Sequence, residues 1–408
     1  MRVLIVSHLA LPHVGGVENL VDLEIRALAN AGHAVTLVTS DGDGRGAEPN
    51  YPTGVTVIRV PASHVLERRF GIPYPLFSPR LVSILWRELG RADVVHAHGF
   101  LFLGSIVAMI LAKWRSVPSV LTDHGGVQKF ASPIATLLAR VGVETLGRVT
   151  TMLATRAVAY NSRVQLLLAK FRRRSDVAFV MNPVDGERFF PPTQDQRAEA
   201  RRSLGWDDRP KVLFVGRLLE TKGVPLLLAA SDTRFDLVFC GPGDVSMLGP
   251  LPRTGVVYLP PRPQAELRTL YHAADVLVLP AEVREGFPLV VQEALSCGLP
   301  VVLGYDPGFE PYGDLPGLVF TERTVEAVRI AIREALAPSE PRRAGGVSPL
   351  ILSGTPSGSD GVERPFPHPV ASARGSNIAS ESGGLRPPLA FPSLDEWVRQ
   401  LFPEVPSP

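Results

Sequence analysis

The stretch REGFPLVVQEALSCGLPVV, from Arg284 to Val302, holds two glutamates, Glu285 and Glu293, eight positions apart. The apolar run Leu277–Pro280 just before it reads as a strand. A helix is expected from Pro288, because proline suits a first helical position. A strand followed at once by a helix is one unit of a parallel sheet. The amides of Gly286, Phe287 and Leu289 would then sit at a helix start, on the carboxyl rim where such sheets bind ligands and where anions are favoured. Gly286 lets the backbone come close to a ligand. Glu285 precedes the helix and Glu293 lies in its second turn, so both carboxylates can accept from hydroxyls. The pair suits a polyhydroxy ligand that also carries an anion. A plainer reading, that acids near a helix start complement its dipole, stays open on this stretch alone.

Working outward, the same alternation recurs. Val3–Ser7, Ala34–Thr39, Val55–Val60, Val94–His96 and Ser119–Thr122 are expected strands, with helices at Leu20–Ala31, Ser78–Gly90 and Leu101–Trp114. A turn-rich segment with three prolines, Met181 to Pro192, interrupts the pattern, which then restarts. Lys211–Val215, Asp236–Cys240, Val256–Leu259 and Val276–Pro280 are the next strands. Leu226–Ala230, Gln264–Ala273, Pro288–Ser296 and Thr324–Leu336 are the next helices. The fold class is α/β, with two doubly wound, Rossmann-like units at 1–183 and 184–337. Residues 338–392 are rich in Pro, Gly and Ser and are expected to be disordered. In the last segment, 393–408, Ser393–Phe402 reads as a short amphipathic helix, with Ser393 and Glu396 forming a capping box.

Composition sets the outer bounds. The chain has 408 residues, 45% hydrophobic and 20% charged, which fits a globular protein of about two domains. Residues 1–181 hold 20 Lys and Arg against 12 Asp and Glu, and the remainder holds 22 against 28. A basic first half suits an anionic partner, although chance in an Arg-rich chain gives the same imbalance. The two cysteines, Cys240 and Cys297, exclude a disulfide framework, and no metal-type spacing occurs. Neither a signal peptide nor a membrane span is expected, so the cytoplasm is the expected location.

Further motifs follow the strands. In Val215–Gly223, VGRLLETKG, Gly216 opens a turn, and Arg217 and Lys222 are within reach of a diphosphate; two solvated cations are the bland alternative. Pro12–Glu18, PHVGGVE, offers Gly15 and Gly16 at the start of the first helix, as a phosphate loop or a plain turn. Histidines cluster at strand ends: His96 and His98 in DVVHAHGF, and His124 in LTDHGG. Both loops are expected to open onto a cleft between the units, with His124 the strongest ligand contact and His8 and His13 weaker ones.

Taken together, these residues resemble a retaining glycosyltransferase of family 4 with the GT-B fold, over roughly residues 1–305. The resemblance rests on Glu285-x7-Glu293 within EGFPLVVQEALSCGLPVV, on GRLLETKG, on CGPGD at Cys240–Asp244, on LYHAADVLVLP at Leu270–Pro280 and on the early GGVE. It implies that Glu293 binds the ribose of a nucleotide-diphosphate sugar and that Glu285 binds the transferred sugar, beside the amides of Gly286, Phe287 and Leu289. It implies that Arg217 and Lys222 hold the diphosphate beside Gly216, that Gly15 and Gly16 add amides on closure, and that His124 contacts the donor sugar. The catalytic set is then His124, Glu285, Arg217 and Lys222. No metal or other cofactor is expected, because cations already neutralise the leaving group.

The expected partners are the nucleotide sugar and a sugar or lipid-linked acceptor, not nucleic acid. Peripheral membrane contact is a second reading of Leu66–Phe77, beside a loop that shapes the acceptor site. An epimerase of the same fold and a non-catalytic sugar-nucleotide module are the competing functions. The chain departs from the family after Val302. There GYDPGFEPYGDLPGLVF is compressed, and only Ser393–Phe402 is available to cross back to the first unit.

Overall fold

The computed structural model describes residues 1–13, 15–42, 48–70, 72, 74–125, 133–172, 177–282, 286–337 and 392–403. Two parallel sheets organise it. The first holds β1 (Arg2–Val6), β2 (Ala34–Ser40), β3 (Val55–Val60), β4 (Val94–His98), β5 (Ser119–Asp123), β6 (Arg156–Ala159) and β7 (Val177–Phe179) in the order β3-β2-β1-β4-β5-β6-β7. The second holds β8 (Lys211–Val215), β9 (Asp236–Cys240), β10 (Val256–Leu259), β11 (Val276–Leu279), β12 (Val301–Gly304) and β13 (Leu318–Thr321) in the order β10-β9-β8-β11-β12-β13. Both orders reverse beside their first strand, which is where open α/β sheets form a ligand crevice.

Register follows from burial on both faces. β1 pairs Val3 with Val35 on one side and with Val94 on the other, so its run Val3–Val6 is apolar and buried on both faces. β6, β7, β12 and β13 are not marked in the sequence. They are three or four residues long. Most marked elements match within two residues, and Asp236–Cys240 and Gln264–Ala273 match fully. The first helix starts earlier than read, at Gly16, and runs to Asn30.

The helix Leu394–Leu401 forms with the capping box intact. Ser393 Oγ accepts from the Glu396 amide at 3.2 Å, and the Ser393 amide donates to Glu396 Oε2 at 2.9 Å. It packs on the helix Gly16–Asn30. Trp397, Val398, Leu401 and Phe402 are buried in one cluster with Leu20, Val21, Ile25 and Leu28. Arg156 Nη2 also donates to the carbonyl of Gln400 at 2.9 Å. The chain therefore crosses back to the first sheet.

A second tie joins the halves. Arg163 Nη1 contacts both oxygens of Asp306 at 2.8 and 2.6 Å, and Tyr312 Oη donates to the carbonyl of Tyr160 at 2.8 Å. The compressed segment after Val302 is thus where the second half is fastened to the first. No helix among the described residues is long and apolar enough to cross a membrane.

Trp397 has 0% of its surface exposed. Trp397→Ala leaves a cavity against the first helix and should cost about 3 to 5 kcal/mol. Urea unfolding followed by far-UV circular dichroism measures this, and a loss below about 1 kcal/mol would show that the helix is dispensable to the core.

Candidate active site

The loops at the carboxyl ends of β8, β9 and β11 are stitched into one rim. The Leu218 amide donates to the carbonyl of Pro242 at 2.7 Å, and the Glu282 amide donates to that of Thr221 at 2.8 Å. Gly223 closes the loop with φ of +81°, and a Cβ there would stand 2.5 Å from the carbonyl oxygen of Pro280. Only glycine meets both demands. Leu218 is buried, which turns its neighbour Arg217 outward. Lys222 ends a short 3-10 turn, Glu220–Lys222, and is half-buried. Both cations therefore occupy the same rim as the stretch after β11.

In that stretch the helix runs Leu289–Ser296. Pro288 is its cap, not its first residue, and no side chain caps it. Phe287 is buried and stacks on Tyr312 at 3.7 Å, so its ring belongs to the core and only its backbone is left for a ligand. Asn182 Nδ2 fixes the Phe287 carbonyl at 3.2 Å. Glu285 lies outside the described residues. Glu293 is buried; burial raises its pKa, against the Gln264 Nε2 donor at 2.5 Å and the Tyr271 hydroxyl at 2.8 Å. The sequence reading missed both donors, although Tyr271 lies within the quoted LYHAADVLVLP. A carboxylate has about four acceptor sites, so two are left for a diol.

On the first half, the helix begins at Gly16, with Gly15 as its cap and no capping side chain. A Cβ on Gly16 would meet nothing within 4 Å, so this helix start faces open space. His13 braces the loop: Nδ1 lies 3.1 Å from Glu18 Oε1, and Nε2 lies 3.0 Å from Glu67 Oε1. The Glu18 hydrogen bond, against some burial and with help from Glu67, raises the His13 pKa to about 9. His8 stacks on Phe102 at 3.6 Å, and burial lowers its pKa to about 4. It belongs to the packing under the rim.

The crevice is defined by contact. A Cβ on Gly286 would press into the carbonyl oxygen of His124, so the loops of the two halves touch there. Glu293 borders a cavity of about 10 Å³, lined also by Leu23 of the first helix, Asp185, Gln264 and Leu289. That holds about one water. Beside Glu293 the two halves are therefore in contact.

His96 and His98 correct the sequence reading. They do not open onto the cleft: β4 runs on to His98, and both side chains are fully buried on the sheet face beneath the first helix. There His96 Nδ1 lies 2.6 Å from Glu24 Oε1. Glu24, His96 and His98 bring ligand-type atoms within 4.8 Å of one another, a trio that no local spacing announces. The 2.6 Å approach is a hydrogen-bond length, whereas two ligands of one tetrahedral zinc stand about 3.3 Å apart. The trio fits a proton-sharing cluster better than an ion.

A family model described as Glycosyltransferase Family 4 matches residues 14–188, and one described as Glycosyl transferases group 1 matches residues 196–345. A GDP-mannose-dependent alpha-mannosyltransferase of Mycolicibacterium smegmatis is 33% identical over 307 residues, covering 74% of this chain and 79% of that protein. Among solved structures, a sucrose-phosphate synthase from Thermosynechococcus elongatus superposes with a TM-score of 0.64 at 21% identity, covering 82% of this chain and 90% of that one. Anabaena HepE in complex with UDP-glucose does so with a TM-score of 0.61 at 16% identity, covering 83% and 90%.

The His13 bridge makes stability depend on pH. Its folded pKa, about 9, lies above the ordinary 6.5, so the fold favours the protonated ring. The contribution is complete below about pH 6.5 and is lost as pH rises through about 9. Melting temperatures of the parent and of His13→Gln, measured from pH 6 to 10, should differ at the acid end and converge at the alkaline end. A gap that widened with pH would contradict the bridge.

Proposed function

The chain belongs to glycosyltransferase family 4 and has its GT-B fold, and we propose that it transfers a hexose from a nucleoside-diphosphate sugar with retention of anomeric configuration and without a metal ion. That it is a glycosyltransferase acting on a nucleotide-sugar donor follows from the family. The finer reading is supported chiefly by one observation: Arg217 and Lys222 share a rim with the uncapped helix start at Gly286–Leu289, opposite His124. Two cations and free amides stabilise the charge that develops on a departing diphosphate, which is the main requirement of this chemistry. Glu293, oriented by Gln264 and Tyr271, takes the ribose hydroxyls. Glu285 takes the sugar, and Gly15 and Gly16 add amides from the other half. His124 meets the sugar across the crevice, and closure keeps water from hydrolysing the donor.

GDP-mannose is the first donor to test, after the mycolicibacterial relative. Nucleoside diphosphate should appear only when an acceptor is present, and the new linkage should be α by NMR. Lys222→Ala and Arg217→Ala should each lower kcat by about a hundredfold. A β product would overturn retention. Activity lost to EDTA and restored by a divalent cation would overturn the metal-free reading. Full activity in Lys222→Ala would overturn the diphosphate site.

A lipid-linked acceptor is supported by the outer side of the helices on the other face of the first sheet. Trp114, 77% exposed, lies on these helices with Leu137, Val141, Met152 and Leu166, all more than half exposed, and with the basic residues Lys113, Arg140 and Arg148, while Lys170 is paired with Glu144 at 3.0 Å. Apolar side chains among basic ones suit an anionic membrane surface, whereas a second copy would set like charges face to face. In Leu66–Phe77, where residues 71 and 73 lie outside the described residues, Phe77 is buried and Leu76 is exposed. The protein should sediment with phosphatidylglycerol vesicles at low salt and not with phosphatidylcholine vesicles, and Trp114→Asp should weaken this. Equal sedimentation with both lipids, or with neither, would end the reading.

A further inference from the structure

Beneath His124, three side chains from three segments form a line. Glu24 lies on the first helix, His98 at the end of β4 and His124 after β5. Glu24 and His98 have no surface exposed. His98 Nε2 stands 3.0 Å from Glu24 Oε2, close enough for a strong electrostatic contact although the pair lacks hydrogen-bond geometry, and among the described residues neither atom has a hydrogen-bond partner. His98 Nδ1 lies 3.0 Å from His124 Nε2, with the two rings nearly parallel. The second carboxylate oxygen, Oε1, is taken by His96, whose Nε2 meets Thr122 Oγ1 at 2.7 Å.

The protons along this line are fixed by what each atom faces. A ring nitrogen beside a buried carboxylate must carry hydrogen, since a lone pair there would face negative charge. Burial, reinforced by His96, lowers the His98 pKa, so the ring is neutral near neutral pH and holds one proton. That proton lies on Nε2, and Nδ1 is left as an acceptor. His124 Nε2 must therefore be the donor between the two rings. Burial and the nearby histidines also lower the His124 pKa, so this ring too holds one proton. Its Nδ1 is left bearing a lone pair. The other titratable groups that feel Glu24 are His96 and Tyr160; burial raises the Glu24 pKa, but the two histidines at its oxygens outweigh this and lower it to about 2.

We propose that Glu24 is a positioning residue which, through His98, holds His124 in the Nε2–H tautomer so that Nδ1 accepts a hydrogen bond from a hydroxyl of the donor sugar. The proposal rests on the transferase reading above for the identity of that hydroxyl, but not for the tautomer. Glu24 touches no substrate. Its effect passes along two contacts and sets the direction of the last hydrogen bond. Glutamine at position 24 can donate to His98 Nε2, which moves the His98 proton to Nδ1. His124 must then accept from His98, and its own proton shifts to Nδ1, where it opposes a hydroxyl donor.

Nitrogen-15 NMR of the histidine rings in the ligand-free protein is the first test, because it requires no turnover. The parent should show His124 as the Nε2–H tautomer, and Glu24→Gln should convert it to the Nδ1–H tautomer. A parent protein with the Nδ1–H tautomer overturns the proposal, even if Glu24→Gln fails to fold. The second test is a double-mutant cycle with GDP-mannose as donor. Glu24→Gln should lower kcat/KM about tenfold, the scale of one hydrogen bond. It should change nothing further once His124→Ala is present, and should leave the affinity for free GDP, measured by calorimetry, unaltered. Equal losses with and without His124 would show a merely structural role and overturn the relay. If the parent turns over no nucleotide sugar while the NMR result holds, it is the transferase reading that fails, not the relay.

Discussion

The site depends on one close approach, that of the Gly286 backbone to the carbonyl of His124. There is no room for a side chain between them, so the rims of two separate sheets meet at van der Waals distance. Each rim is assembled by its own sheet: Gly286 follows β11, and His124 follows β5. The Arg163–Asp306 pair and the Tyr312–Tyr160 hydrogen bond hold the halves together nearby. With a cavity of only about 10 Å³ beside Glu293, the closed arrangement is already made by protein contacts.

Glu24 in the first half and Glu293 in the second are both buried and both engaged at two oxygens: His96 Nδ1 and His98 Nε2 lie 2.6 and 3.0 Å from those of Glu24, and Gln264 and Tyr271 donate to those of Glu293. A buried carboxylate is costly unless its lone pairs are met, and removing one partner leaves the charge stranded. Such groups fix orientation more than they add stability. In the first half that orientation passes on to His124; in the second it aims the remaining lone pairs of Glu293 at the crevice.

The fold was largely legible in the sequence because central parallel strands are continuous apolar runs, such as Val276–Leu279, followed directly by helix starts. The rim position of Arg217 was legible for the same reason, since it follows β8. What escaped was whatever depends on partners distant in sequence. His96 read as a strand end and His98 as a loop residue, both facing the cleft, because β4 looked two residues shorter than it is. Their spacing of two, which places both on one face of a strand, was the available signal. Glu24 lies 72 residues from His96, and nothing local ties them. Short edge strands such as Val177–Phe179 have too few residues to show a period.

The helix Leu394–Leu401 is laid onto the helix Gly16–Asn30, so the apolar side of an element made first is covered by one made more than 360 residues later. During synthesis the amino-terminal sheet must wait, with Leu20, Val21, Ile25 and Leu28 partly uncovered, while the entire carboxyl-terminal sheet emerges from the ribosome. The molecule therefore cannot finish one half before starting the other. Its last step is to seal its first, and a nascent chain stalled short of Trp397 would present a greasy seam to chaperones and to its neighbours.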